Sequence, residues 1–105
     1  MISIGCFSEM NCFDDNGSIK EHIIDKVNYD KKSVIEYLQS QKRIAGCPRS
    51  AIDCVTGEII SPSFSVYSDG EYQWCDFLIY HIKNYEIFLP KDFLNKIEQL
   101  NRHTL

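Results

Sequence analysis

The apolar and polar positions change period several times along this chain. From Ile2 the pattern alternates loosely through Ile4 and Cys6, then Met10 and Cys12, which predicts a short strand within 2–13. Asp14-Asp15-Asn16-Gly17-Ser18 is a turn cluster. Ser18 followed by Glu21 matches a capping box ahead of Ile19, Ile23, Ile24 and Val27, so a short helix is expected over about 19–28. Asn28-Tyr29-Asp30 breaks it. Asp30 or Ser33 can cap a second helix, whose Val34, Ile35, Tyr37 and Leu38 share one side and which ends near Gln41. Arg43 to Pro48 reads as a strand or extended connection. Ala51-Ile52-Asp53-Cys54-Val55 and Glu58-Ile59-Ile60 flank Thr56-Gly57 as a hairpin, with Pro62 making its outer end an edge. In the next strand, 63–68, Phe64 and Val66 point one way and Ser63, Ser65 and Tyr67 the other.

The most informative run is Tyr67 to Leu94. Asp69-Gly70 between Tyr67 and Tyr72 predicts a tight turn in which glycine takes the positive φ that other residues resist. A helix is expected from near Trp74, because Phe77, Leu78, Ile82 and Tyr85 recur on one helical face. Pro90 stands where a further helix takes its first residue. The sum is an α+β single domain over 1–105, a small antiparallel meander of three to four strands packed against about four helices, with a frayed tail from Asn101 to Leu105.

Length and composition agree with one self-sufficient domain. The chain has 105 residues, 44% hydrophobic and 12% aromatic, which is ample for a core and excludes a chain too polar to fold. No run approaches the ~18 apolar residues of a membrane span. The N-terminus lacks a basic start and a long apolar core, so a cytoplasmic chain is expected. Five cysteines without CxxC spacing argue for reduced, mostly buried thiols rather than disulfides or a zinc ribbon.

Charge changes the picture more than its net value of −4 suggests. Residues 50–82 carry Asp53, Glu58, Asp69, Glu71 and Asp76 and no base, and residues 1–19 carry Glu9, Asp14 and Asp15 and no base. All eleven Lys and Arg therefore lie in 20–49 and 83–105, against seven acids. If the acidic stretches meet in space they form an anionic face that repels nucleic acid and attracts a basic protein; the plain alternative is a solvated acidic surface.

Candidate chemistry is sparse. His22, His81 and His103 form no HxxxH or HExxH pair, and no phosphate loop or dinucleotide fingerprint is present, so neither metal nor nucleotide cofactor is expected. A thiol, imidazole and carboxylate grouping of Cys75, His81 and Asp76 can be drawn on the third helix, although helix-borne nucleophiles without a glycine-lined approach are unusual. Asp53 with Glu58 and Asp69 with Glu71 could act as acid and base, but turn preference explains them more simply. Lys31-Lys32, Lys42-Arg43 and Arg49 are interleaved with acids, which disfavours nucleic-acid binding at a pI near 5.2. Trp74 is expected to anchor the hairpin to the following helix.

The order SVIEYLQS, D-x-x-TGEII, S-x-YSDGEYQW, FLIYHIKNY and LPKDFLNKI, over about 33–97, resembles small bacterial immunity proteins encoded with polymorphic or contact-dependent toxins. Its most specific parts are Asp69, Gly70 and Trp74, the pair Tyr80 and Tyr85, and Leu89-Pro90 with Phe93. Cys75 departs from the proline that many such proteins have there. The resemblance implies a cytoplasmic inhibitor, not an enzyme, that binds a cognate toxin domain 1:1; because the predicted core accounts for the apolar residues and no helix has a second apolar stripe, a monomer is expected when free. A nuclease toxin with a basic cleft would suit the acidic stretches. The motif residues read as scaffold, and the expected contacts are Asp69, Glu71, Tyr72 and Asp76, with Asp14 and Asp15 as second choices. The competing readings are a thiol-dependent enzyme or redox protein using Cys75 and His81, and an adaptor domain with some other partner.

Overall fold

The computed structural model describes residues 1–103, with side chains through Leu100. The elements are β1 (Ile2–Ser3), α1 (Lys31–Ser40), β2 (Lys42–Cys47), β3 (Ala51–Ile52), β4 (Ile59–Ser61), β5 (Phe64–Ser68), β6 (Tyr72–Cys75), α2 (Phe77–Asn84) and α3 (Lys91–His103). Single 3-10 turns lie at Ser8–Met10 and Ile19–Glu21. Residues 104 and 105, part of the tail expected to fray, lie outside the described residues; α3 itself reaches His103.

The fold is α+β, with a four-stranded sheet ordered β1-β6-β5-β2 and a separate β3-β4 hairpin. The β2, β5 and β6 pairings are antiparallel, as a meander requires, but β1 joins β6 in parallel. Its ladder is anchored by Ile2 N to Glu71 O at 2.9 Å and Ile4 N to Gln73 O at 3.0 Å. The N-terminal strand is therefore two residues long. Beyond it, Gly5 at φ 69 and the turn at Ser8–Met10 fold the chain back on itself.

The expected helix over 19–28 is a single 3-10 turn. Ser18 does cap it, accepting from Lys20 N at 3.2 Å, and Glu9 from another segment takes Ile19 N at 3.0 Å and the Ser18 hydroxyl at 2.6 Å. The chain then runs extended beside 86–88, with Ile24 N to Glu86 O and Phe88 N to His22 O. The β-branched Ile23 and Ile24 gain more from that pairing, where Ile23 bridges Ile87, than from a short exposed helix. Trp74 lies in β6, and α2 starts three residues later at Phe77.

The strand alternation explains how both sheet faces are used. Val66 pairs with Cys75 and Tyr67 with Trp74, so Trp74 and Tyr72 project to one face and Phe64, Val66 and Cys75 to the other. The first face meets α1 and α3: Phe93 lies 4.9 Å from the Tyr72 ring and 5.8 Å from Trp74, with Tyr37 at 6.0 Å from Phe93. Pro90 precedes α3, and its carbonyl accepts the first helical bond, from Leu94. On the second face, Phe77 packs edge-on against Phe64 at 5.4 Å, and the N-terminal segment places Cys6 and Cys12 beside Cys75.

Candidate partner-binding surface

The Asp69-Gly70 hairpin turn follows its expected chemistry, and that chemistry removes its aspartate from the surface. Asp69 Oδ1 accepts from Glu71 N at 2.9 Å and Tyr72 N at 2.7 Å, while Gly70 sits at φ 97. Its other oxygen accepts the Tyr37 hydroxyl at 2.5 Å and faces Lys96 Nζ at 3.0 Å. Lys96 also binds Glu71 at 3.0 Å and lies 5.5 Å over the Tyr72 ring. The Asp69 side chain is only 2% exposed. Burial raises its pKa, but Tyr37, the two amides and Lys96 outweigh burial and bring it down to about 2.

Two of the expected contact residues are therefore interior. Asp69 is an internal staple between hairpin, α1 and α3, and Tyr72 is buried against Phe93. The sequence misled here because the neutralising base comes from α3, remote in sequence from the base-free stretch. Glu71 does remain exposed, sharing Lys96 with Asp69. Tyr37→Phe, which removes one hydrogen bond to a charged acceptor, should cost about 2 kcal/mol in urea denaturation. If Asp69 is scaffold, the same variant leaves partner affinity unchanged once folded.

Asp76 lies at the opposite end of β6, roughly 13 Å from the hairpin turn at the usual strand rise. It is half-buried, its carboxylate accepts Ser65 N at 3.2 Å, and burial raises its pKa. Asp53 is fully interior: Tyr85 and Tyr80 donate hydroxyls at 2.7 and 2.8 Å, and the amides of Val55 and Thr56 donate at 2.8 and 3.1 Å. Burial works against ionisation there, but those four donors prevail and hold the carboxyl at about 2. A group so stabilised as an anion is a poor general base.

His81 is also committed. Its Nδ1 lies 2.7 Å from Phe77 O and its Nε2 2.9 Å from Cys54 N, an arrangement met by one neutral tautomer that donates from Nδ1 and accepts at Nε2. Burial lowers its pKa. Cys75 is fully buried, and both nitrogens of the imidazole are taken by main-chain groups rather than by its thiol. The two do not form a nucleophile and base pair in this arrangement. Among the described residues, no group of three or more His, Cys, Asp or Glu is arranged to hold a metal ion.

The second-choice acids, Asp14 and Asp15, are exposed, as Glu71 is. They occupy a loop braced by its own polar side chains: Asp15 Oδ1 accepts Ser8 Oγ at 2.6 Å and Gly17 N at 2.8 Å, and Asp14 Oδ1 accepts Asp15 N at 2.8 Å. Asn16 Oδ1 receives Cys6 N at 2.9 Å, and Glu9 receives Ser18 Oγ at 2.6 Å. This bracing presents Phe13, 48% exposed, beside two carboxylates; Arg49 reaches the same loop from outside it, donating to Met10 O at 2.6 Å. Phe13 was not singled out by its sequence context; an aromatic next to a polar turn cluster is the signal that could have found it.

Among the described residues no helix is long and apolar enough to cross a membrane. No family model, curated protein or solved structure gives a match to this chain.

Proposed function

We propose that this protein is an immunity-type inhibitor that binds one basic toxin domain, a nuclease by preference, and blocks it stoichiometrically in the cytoplasm. The observation that carries this reading is the loop over 8–18, in which Phe13, Asp14 and Asp15 are exposed and both carboxylates hydrogen-bond within the loop. A preorganised patch loses little entropy on binding, an exposed aromatic can fill a pocket on the partner, and flanking carboxylates speed encounter with a basic surface. The order of motifs from Ser33 to Ile97, which resembles immunity proteins, supports the same partner class. Glu71 at the hairpin turn and half-buried Asp76 are further contact acids, whereas Asp69 and Tyr72 serve the interface by holding the hairpin.

The test is co-expression with the polypeptide encoded immediately upstream, then titration of the purified pair at low and high salt. Tight 1:1 binding that weakens with salt and abolishes the toxin's activity is expected. Asp14→Lys should weaken affinity at least about tenfold, chiefly through the association rate. Binding that is indifferent to both salt and Asp14→Lys would remove the acidic-loop mechanism, and absence of binding would remove the inhibitor itself.

A further inference from the structure

The second face of the sheet is open at one corner. Cys47 ends β2, the outer strand, and pairs with Phe64, while Ala45 pairs with Val66, so these side chains share that face at the sheet's edge. The turn at Ser8–Met10, closed by Asn11 in the left-handed region at φ 49, brings Cys12 and Phe13 across from them. Between loop and strand lies an open recess of about 380 Å³. Phe64 and Val66 line it as buried residues, and Cys12, Phe13 and Cys47 line it as more exposed ones.

Charge is distributed unevenly around this recess. Arg49, in its wall, is already engaged: it donates to Met10 O at 2.6 Å, and its guanidinium lies 5.8 Å from the centre of the Phe64 ring. A second cation lodged in the recess would be repelled by it. The acids stand on the loop side, next to Phe13 in the chain. Among the described residues, the Asp14 and Asp15 carboxylates accept hydrogen bonds through Oδ1 alone and form no ion pair, so both Oδ2 atoms remain open to a base from outside.

We propose that this recess is the anchor pocket of the interface: it takes one large apolar side chain of the basic toxin domain, aromatic by preference, while an adjoining lysine or arginine of that domain pairs with Asp14 and Asp15. The proposal rests on the inhibitor reading above and adds what the partner must carry. An apolar occupant matches the lining of Phe13, Cys47, Phe64 and Val66, and the engaged Arg49 disfavours a cationic one. The volume falls within the roughly 300–1,000 Å³ of pockets that seat small ligands, so an aromatic ring fits. Charge complementarity then places a base beside that ring, where the two open carboxylate oxygens lie. The two halves of the contact act on different rates. Carboxylates at the rim speed encounter, whereas an apolar side chain seated in the recess slows dissociation.

The test is Cys47→Trp, which fills the recess from the edge strand and leaves its charged groups in place. Binding kinetics are measured with the polypeptide encoded immediately upstream, at low and high salt. The variant should keep the wild-type circular dichroism and association rate, but dissociate at least about tenfold faster at both salt concentrations. Cys47→Leu, a smaller filler at the same half-exposed position, should fall between it and the wild-type protein, and serves if tryptophan disturbs the strand. Wild-type dissociation from both variants would overturn the pocket and leave the inhibitor reading intact, whereas a wild-type protein that binds nothing removes both. A loss that disappears at high salt would assign the recess to a cationic side chain. A free wild-type dimer that Cys47→Trp splits into monomers would assign it to Phe13 of a second copy. Each of those two results also overturns the proposal.

Discussion

Phe93→Ala should lower stability by about 3–5 kcal/mol and the midpoint of thermal unfolding by roughly 15 °C or more. The Phe93 ring is fully buried where three elements converge: it meets Tyr37 of α1 and both Tyr72 and Trp74 of β6, with centroid distances between 4.9 and 6.0 Å. Its partners are large, rigid and held by the sheet, so the cavity cannot collapse. Lys96, one turn further along α3, spans Asp69 and Glu71 and depends on the same docking. Far-UV circular dichroism melts of the purified variant provide the check. A loss under about 1 kcal/mol would mean that α3 is not seated on this face as described.

The second large effect lies at Asp53. Asp53→Ala strands two tyrosine hydroxyls and two amides at once, and should cost about 3 kcal/mol in chemical denaturation. Tyr80 and Tyr85 are half-exposed, so water recovers part of the loss. The pH dependence follows from the same contacts. Asp53 is held at about 2 against an ordinary 3.8, so its stabilisation is complete above that ordinary value and is lost as pH falls toward about 2. His81 is held neutral in the folded chain, its pKa lowered from 6.5. The unfolded chain takes up a proton first, and stability begins to fall once pH drops below 6.5. Acid unfolding should therefore begin above the carboxylate range, and Asp53→Ala should flatten only the lower part of the profile. A wild-type protein with constant stability from pH 7 to 4 would contradict the His81 assignment.

The two-residue period of Phe64 and Val66, the Asp69-Gly70 turn, the face of α1 formed by Val34 and Leu38, and the proline before α3 were all legible in the chain, because each is decided by a few neighbouring residues. The failures share the opposite property. Ser18 and Glu21 look like a helix start, but Glu9 takes the Ile19 amide and the Ser18 hydroxyl, and the strand-like pairing with 86–88 takes His22 O and Ile24 N. Trp74 reads as helix until its pairing with Tyr67 is known. The acidic surface was legible only in part. Asp14 and Asp15 stay exposed because their loop satisfies itself, whereas Asp69 is claimed by Tyr37 and Lys96 from two helices that no local pattern could bring to it.

The parallel pairing of β1 with β6 has a consequence for how the chain is made. Residues 2–3 leave the ribosome about 70 residues before their partners 72–73, an interval of roughly 4 to 14 s at common elongation rates. During that time Ile4, Cys6 and Phe7, all buried in the finished fold, have no sheet to cover them. The nascent chain thus exposes Ile4, Cys6 and Phe7 until β6 has been made, and these residues are where a co-translational chaperone would bind it.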